Sequence, residues 1–261
     1  MPVIIRTPIR RMTQAEFGQV AYSVMECVFK IHDEMGRFFD EKIYKRELVH
    51  RYPGAQIEVP IEVVHATFRK HQYLDLLVDG GAPFEFKAVE AFVPRHSAQL
   101  LHYMFLAELG HGKLINVGRD SVEHQFINTT IRREDRVWFD VADARWSDRP
   151  VGAALFREVL TALLGDWGTG LDLQLYEEAL THLLGDGAQL LADVEVRTPT
   201  HVLGHQKMRL VAPRVGFVLT ALPEASAEYE SHLRRLLRFT ELDAILWANI
   251  NLKTVTFTTI T

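Results

Sequence analysis

The chain has 261 residues, 48% hydrophobic and 24% charged, which excludes a disordered polymer and leaves room for one large domain or two smaller ones. A formal net charge of −5 and a pI near 6.2 exclude the strongly basic balance of a protein that coats nucleic acid, but not an enzyme whose site needs acidic ligands. A single cysteine, Cys27, excludes a disulfide framework. With no apolar run of bilayer length and no secretory leader in MPVIIRTPIRRM, the expectation is a cytoplasmic protein with no membrane partner.

Thr13 and Glu16 have the spacing of a capping box, and Phe17, Val20, Ala21, Val24, Val28 and Ile31 follow at helical spacing, with Cys27 as a small core residue among them. This first helix is expected to stop near Gly36. A second covers Glu41 to about His50, ahead of the turn at Tyr52-Pro53-Gly54. Three strands then read as QIEVPIEVV, HQYLDLLVD and APFEFKAV, and Asp79-Gly80-Gly81 predicts a tight antiparallel hairpin between the last two. A helix from Arg95 to Leu109 and the strands KLINVG and EHQFINTTI complete the series.

The order then recurs. A helix over 150–164 precedes GTGLDLQLYEEAL, which repeats the shape of GRFFDEKIYKREL, and RVGFVLTAL, HLRRLLRF, AILWANI and KTVTFTTI follow. At an offset near 132, Gly36 meets Gly168, Asp40 meets Asp172 and Tyr44 meets Tyr176. The reading is an internal duplication, with domains at 1–135 and 149–261.

Charges sit unexpectedly inside two of the apolar strands. Strand alternation points Glu85 and Lys87 to one face and Phe84, Phe86 and Ala88 to the other, and the hairpin brings Asp75 beside them. An unpaired carboxylate among Leu74, Leu76 and Leu77 costs several kcal/mol, so Asp75 needs a partner. One candidate is a hard divalent ion, Mg²⁺ or Mn²⁺, shared by Asp75 and Glu85. Such an ion lowers the pKa of a water and polarises a phosphoryl oxygen, with Lys87 offsetting transition-state charge. The plainer alternative for these charges is an ion pair between Glu85 and Lys87, or a solvent-facing strand surface. Glu41 on the preceding helix, and His96, Gln99 and Tyr103 along one face of the following helix, add weight to the first.

These segments together resemble a known family. Gly36, Glu41 and Tyr44, then DLLV from Asp75, EFKAVE from Glu85, HSAQLLHY from His96 and LINVG from Leu114 make residues 24–131 similar to the GxxExxY proteins of the PD-(D/E)xK nuclease superfamily. The resemblance implies an α/β unit of restriction-endonuclease-like fold, a central mixed sheet flanked by helices, and with the internal duplication the expectation becomes two such units in tandem. It implies Asp75 and Glu85 as metal ligands, Lys87 as the catalytic lysine, Glu41 as an acidic residue from the leading helix, and Gln99 and Tyr103 as a Q-x-x-x-Y element supporting catalysis. Under it His96 and Tyr44 are assigned to the nucleic-acid face, with DNA ahead of RNA as substrate. One departure stands out: Phe38 occupies the place of the family's second glycine, before Glu41.

In the second copy the place of Asp75 falls on Met208, that of Glu85 on Val218, that of Lys87 on Thr220, and that of Glu41 on Leu173. No ligand set remains there. Charge divides unequally, 16 − 16 = 0 over residues 1–132 and 13 − 18 = −5 over residues 133–261. The second copy is therefore expected to be a degenerate pseudo-nuclease, serving as the inert half of a pseudo-dimer or docking a protein partner, with a homodimer as a further option. The competing reading is a nonenzymatic scaffold in a defence or repair assembly.

Overall fold

The computed structural model describes residues 2–185 and 191–261. The chain divides into two compact units, Met1–Val64 with Arg69–Arg133, and His65–Phe68 with Glu134–Thr261.

In the first unit the elements run β1 (Val3–Ile5), α1 (Gln14–Met35), α2 (Glu41–Arg51), β2 (Ala55–His65), β3 (Phe68–Val78), β4 (Ala82–Lys87), α3 (Pro94–Ala107), β5 (His111–Asn116) and β6 (Glu123–Asn128); the short helix α4 (Arg133–Val137) then begins the second. The six strands form one sheet in sequence order, antiparallel where the register is defined except for the parallel pair β4–β5. The predicted capping box starts α1: Glu16 N–H donates to Thr13 Oγ1 at 3.3 Å, and Thr13 N–H donates to Glu16 Oε2 at 2.7 Å. Phe17, Ala21, Val24, Val28 and Ile31 pack with Phe84 and Phe86 into one core, and Cys27 lies part-buried against it. The Asp79-Gly80 hairpin also forms, both residues taking the positive φ (49° and 68°) that a tight two-residue turn needs.

The second unit contains β7 (Asp140–Arg145), α5 (Ala153–Trp167), α6 (Leu173–Leu184), β8 (Leu191–Arg197), β9 (Val202–Ala212), β10 (Val215–Thr220), α7 (Ala227–Arg238), β11 (Ala244–Ile250) and β12 (Thr254–Ile260). Its sheet order is β7-β12-β11-β10-β9-β8. Two helices, three strands, a helix and two strands thus recur in the order of the first unit, again with a parallel pair, β10–β11, at the helix crossover. The expected architecture of two mixed sheets flanked by helices holds. The sixth strand distinguishes them: β1 pairs antiparallel with β2, whereas β7 pairs parallel with β12.

Candidate active site

The site lies where β3 parts from β4. Their ladder ends at Leu76 and Phe84, and one step further along the same register Asp75 comes opposite Glu85. Beyond that point side chains from both flanks take over the backbone donors at the end of β4 and just after it. Phe86 N–H donates to Asp75 Oδ2 (2.8 Å), Ala88 N–H to Glu41 Oε1 (3.1 Å) and Val89 N–H to Asn116 Oδ1 (3.1 Å). Asn116 completes a bracket by donating from Nδ2 to the Val89 carbonyl at 2.9 Å. Gly118 must be glycine here, since a Cβ would lie 2.5 Å from Val89 N. Buried donors need acceptors, so these contacts fix the end of β4 as firmly as a neighbouring strand would.

Glu85 is 1% exposed. Its Oε1 accepts from Lys87 Nζ at 2.7 Å, while Oε2 is buried with no hydrogen-bond partner. Burial first, then the charge of Asp75, pushes its carboxyl up to about 7, opposed by Lys87 and Lys45. The ion pair between Glu85 and Lys87 therefore forms, but it satisfies only one of the two carboxylate oxygens.

Asp75 has a partner that sequence reasoning missed. Lys45, one turn after Glu41 on α2, forms a buried ion pair with Asp75 Oδ1. In EKIYKRE it looks like an ordinary solvated charge, and its only signal was the i, i+4 spacing from Glu41. Asn116, hidden in LINVG, was also missed as a functional support.

Two expectations need correction. Tyr44 is 1% exposed and donates from its hydroxyl to the Gly36 carbonyl at 2.5 Å, so it clamps the turn ahead of α2 and offers no surface to nucleic acid. His96 is 4% exposed, and its Nδ1 accepts from Val93 N–H at 3.2 Å at the start of α3. Burial, then Lys87 and Arg95, hold its pKa below the usual histidine value, which makes it a neutral cap rather than a cationic phosphate contact. On the same helix Gln99 is exposed and Tyr103 half-buried, its ring against His102.

A cavity of about 830 Å³ opens beside this cluster, with Glu41, Lys45 and Ala88 among its walls. Phe38, the residue standing where the resemblance called for glycine, is 88% exposed on its rim beneath the Arg37 guanidinium, 5.1 Å from the ring centre. Glu41 keeps its place at the first position of α2 despite that departure.

Residues 18–129 match the family model of the PD-(D/E)XK nuclease superfamily. The match runs from α1 to β6 and takes in every candidate site residue; the nucleases of that superfamily generally use a divalent metal. No curated protein and no solved structure matches the chain.

Do the residues suit such a metal? Among the described residues no group of three or more His, Cys, Asp and Glu side chains stands ready to hold one. What the site does offer is two facing carboxylates, one with a buried oxygen lacking any donor. An all-oxygen pair with an orphaned anionic atom fits a hard cation that keeps most of its waters. Among the described residues no helix is long and apolar enough to cross a membrane.

Proposed function

We propose that the first unit is a Mg²⁺- or Mn²⁺-dependent nuclease with a single site, cleaving phosphodiester bonds of DNA in preference to RNA. The observation that carries this reading is the buried, partnerless Oε2 of Glu85, a carboxyl close enough to feel the charge of Asp75, inside the stretch that matches the nuclease superfamily. Glu85 and Asp75 would hold the ion. When bound, it supplies Lewis-acid polarisation of a phosphoryl oxygen and eases deprotonation of a water.

The chain's own side chains supply the rest. Lys87, held by Glu85 at 2.7 Å, presents an ammonium to the charge that builds on the phosphoryl oxygens as water adds and the leaving oxygen departs. Glu41 holds the backbone after Lys87 through Ala88 N–H, and so orients the lysine's segment. Gln99 and Tyr103, one turn apart on α3, would guide the substrate strand. The GxxExxY assignment within the superfamily belongs to this proposal, as does a second unit that is a degenerate, catalytically silent copy whose acidic surface suits a protein partner.

The test is cleavage of labelled single-stranded DNA, duplex DNA and RNA with Mg²⁺ or Mn²⁺, comparing the native protein with Lys87→Ala and with an EDTA control. Metal-dependent cleavage that disappears in both controls supports the reading. Intact substrates after incubation with folded native protein would overturn it and favour the scaffold.

A further inference from the structure

We infer that Lys45 is a fixed cation of the site and limits it to one divalent ion. This rests on the metal-dependent reading above. The cluster holds three carboxylates, Glu41, Asp75 and Glu85, and two ammonium groups, Lys45 and Lys87, which sum to one negative charge when all are ionised. One divalent ion brings that sum to +1. A second brings it to +3 around a glutamate that is 1% exposed, where uncompensated charge meets little solvent and is strongly disfavoured.

The hydrogen bonds lead to the same count. A carboxylate that bridges two ions through both of its oxygens offers one to each. Asp75 offers Oδ1 to Lys45 and Oδ2 to the Phe86 N–H, leaving spare lone-pair capacity but no oxygen free of a donor. Glu85 has one such oxygen, Oε2. Glu85 and Asp75 would thus hold a single ion without displacing either lysine.

Lys45 is also not a side chain that can simply swing away. Its side chain is 8% exposed, and the turn of α2 that leads into it is anchored twice, by the Tyr44 hydroxyl on the Gly36 carbonyl and by Glu41 on Ala88 N–H. Releasing Asp75 would leave a buried ammonium without its counter-charge, which is more costly than keeping the pair. Lys45 thus acts through Asp75 as a positioning residue, occupying the electrostatic place that a second ion would take.

The experiment counts Mn²⁺ bound per chain, from the free-ion electron paramagnetic resonance signal and by calorimetry, with folding followed by circular dichroism. Native protein is expected to bind one ion. Lys45→Met should bind a second, or bind the first about tenfold more tightly, as expected when a neighbouring positive charge is removed. Lys45→Arg should restore the native count and affinity. Two ions on native protein would overturn the inference and leave the nuclease reading intact, and so would a folded Lys45→Met variant with native count and affinity. No uptake by folded native protein would overturn the metal-dependent reading and this inference together. The native count needs no variant, so the test stands even if Lys45→Met fails to fold.

Discussion

On the parallel pair β4–β5 of the first unit, Glu85 and Lys87 lie in register with Leu114 and Asn116; on β10–β11 of the second, Val218 and Thr220 lie in register with Trp247 and Asn249. The asparagine does the same work in both. Asn249 accepts from Leu222 N–H at 2.9 Å and donates to the Leu222 carbonyl at 3.1 Å, as Asn116 does with Val89. The turn before the second helix also repeats: Gly168 has φ 81° against 72° at Gly36, and Tyr176 donates to the Gly168 carbonyl as Tyr44 does to that of Gly36.

What differs is the filling. In the second unit Trp247 is fully buried and donates to Thr220 Oγ1 at 2.9 Å, and that hydroxyl donates to Asn249 Oδ1 at 2.7 Å. Every polar atom in that small chain has a partner, and Met208 and Val218 pack beside it. The comparison separates frame from chemistry. Tyrosine clamp and asparagine bracket occur with and without charges, so they serve the fold; the two lysines and three carboxylates occur only in the first unit, where they leave one oxygen unsatisfied. A frame under folding selection alone has no need to tolerate that oxygen.

The largest expected effect breaks the comparison from the apolar side. Trp247→Ala should destabilise the second unit by about 3–5 kcal/mol, through the cavity left and the indole bond lost. The three remaining tryptophans, Trp138, Trp146 and Trp167, all lie in that unit, so their fluorescence during denaturant unfolding reports it selectively. A loss below 1 kcal/mol would mean that the indole is not the centrepiece of that core.

Next comes the charged side. If Lys87 stabilises transition-state charge, Lys87→Ala should lower the cleavage rate by about 100-fold or more, while Thr220→Ala leaves it unchanged. Equal effects from both would place chemistry in both units.

Glu85→Gln sharpens the contrast through pH. With the carboxyl at about 7 in the folded chain and 4.5 as its ordinary value, the unfolded chain releases its proton first as pH rises, so folded stability falls between those two values. In EDTA, Glu85→Gln should therefore be more stable than the native protein at pH 8, by on the order of 2 kcal/mol, and near-equal at pH 4. Thermal melts followed by far-ultraviolet circular dichroism at both values check the sign.

The smallest effect tests the shared clamp. Tyr44→Phe and Tyr176→Phe should each cost about 1 kcal/mol, similar in the two units because each loses one buried hydroxyl-to-carbonyl bond. Unequal losses would show that one clamp has taken on a second task.

Much of this was readable in the sequence where local rules are strong. Capping at Thr13 and Glu16, the Asp79-Gly80 turn and the alternation that faces Glu85 and Lys87 away from Phe84 and Phe86 all depend on near neighbours, and all formed. The misses depend on distance. Lys45 meets Asp75 thirty residues away and Asn116 meets Val89 twenty-seven away, so neither partner leaves a mark on the other's surroundings. Tyr44 and His96 mislead for a related reason: a polar side chain buried against its own turn and one exposed to a ligand are spelled alike. The outer strands β1 and β7 are three and six residues long, the latter exposed throughout, with no buried alternation to announce them.

The end of β4 gives the molecule a local gauge. Its amides at Phe86, Ala88 and Val89 are held by side chains from β3, α2 and β5. Hydrogen exchange at those three positions would follow the assembly of the candidate site itself, each amide reporting the arrival of a different segment, while exchange elsewhere in the sheet follows the fold. Three neighbouring residues would thus record whether helix and strands close on this site together or one at a time.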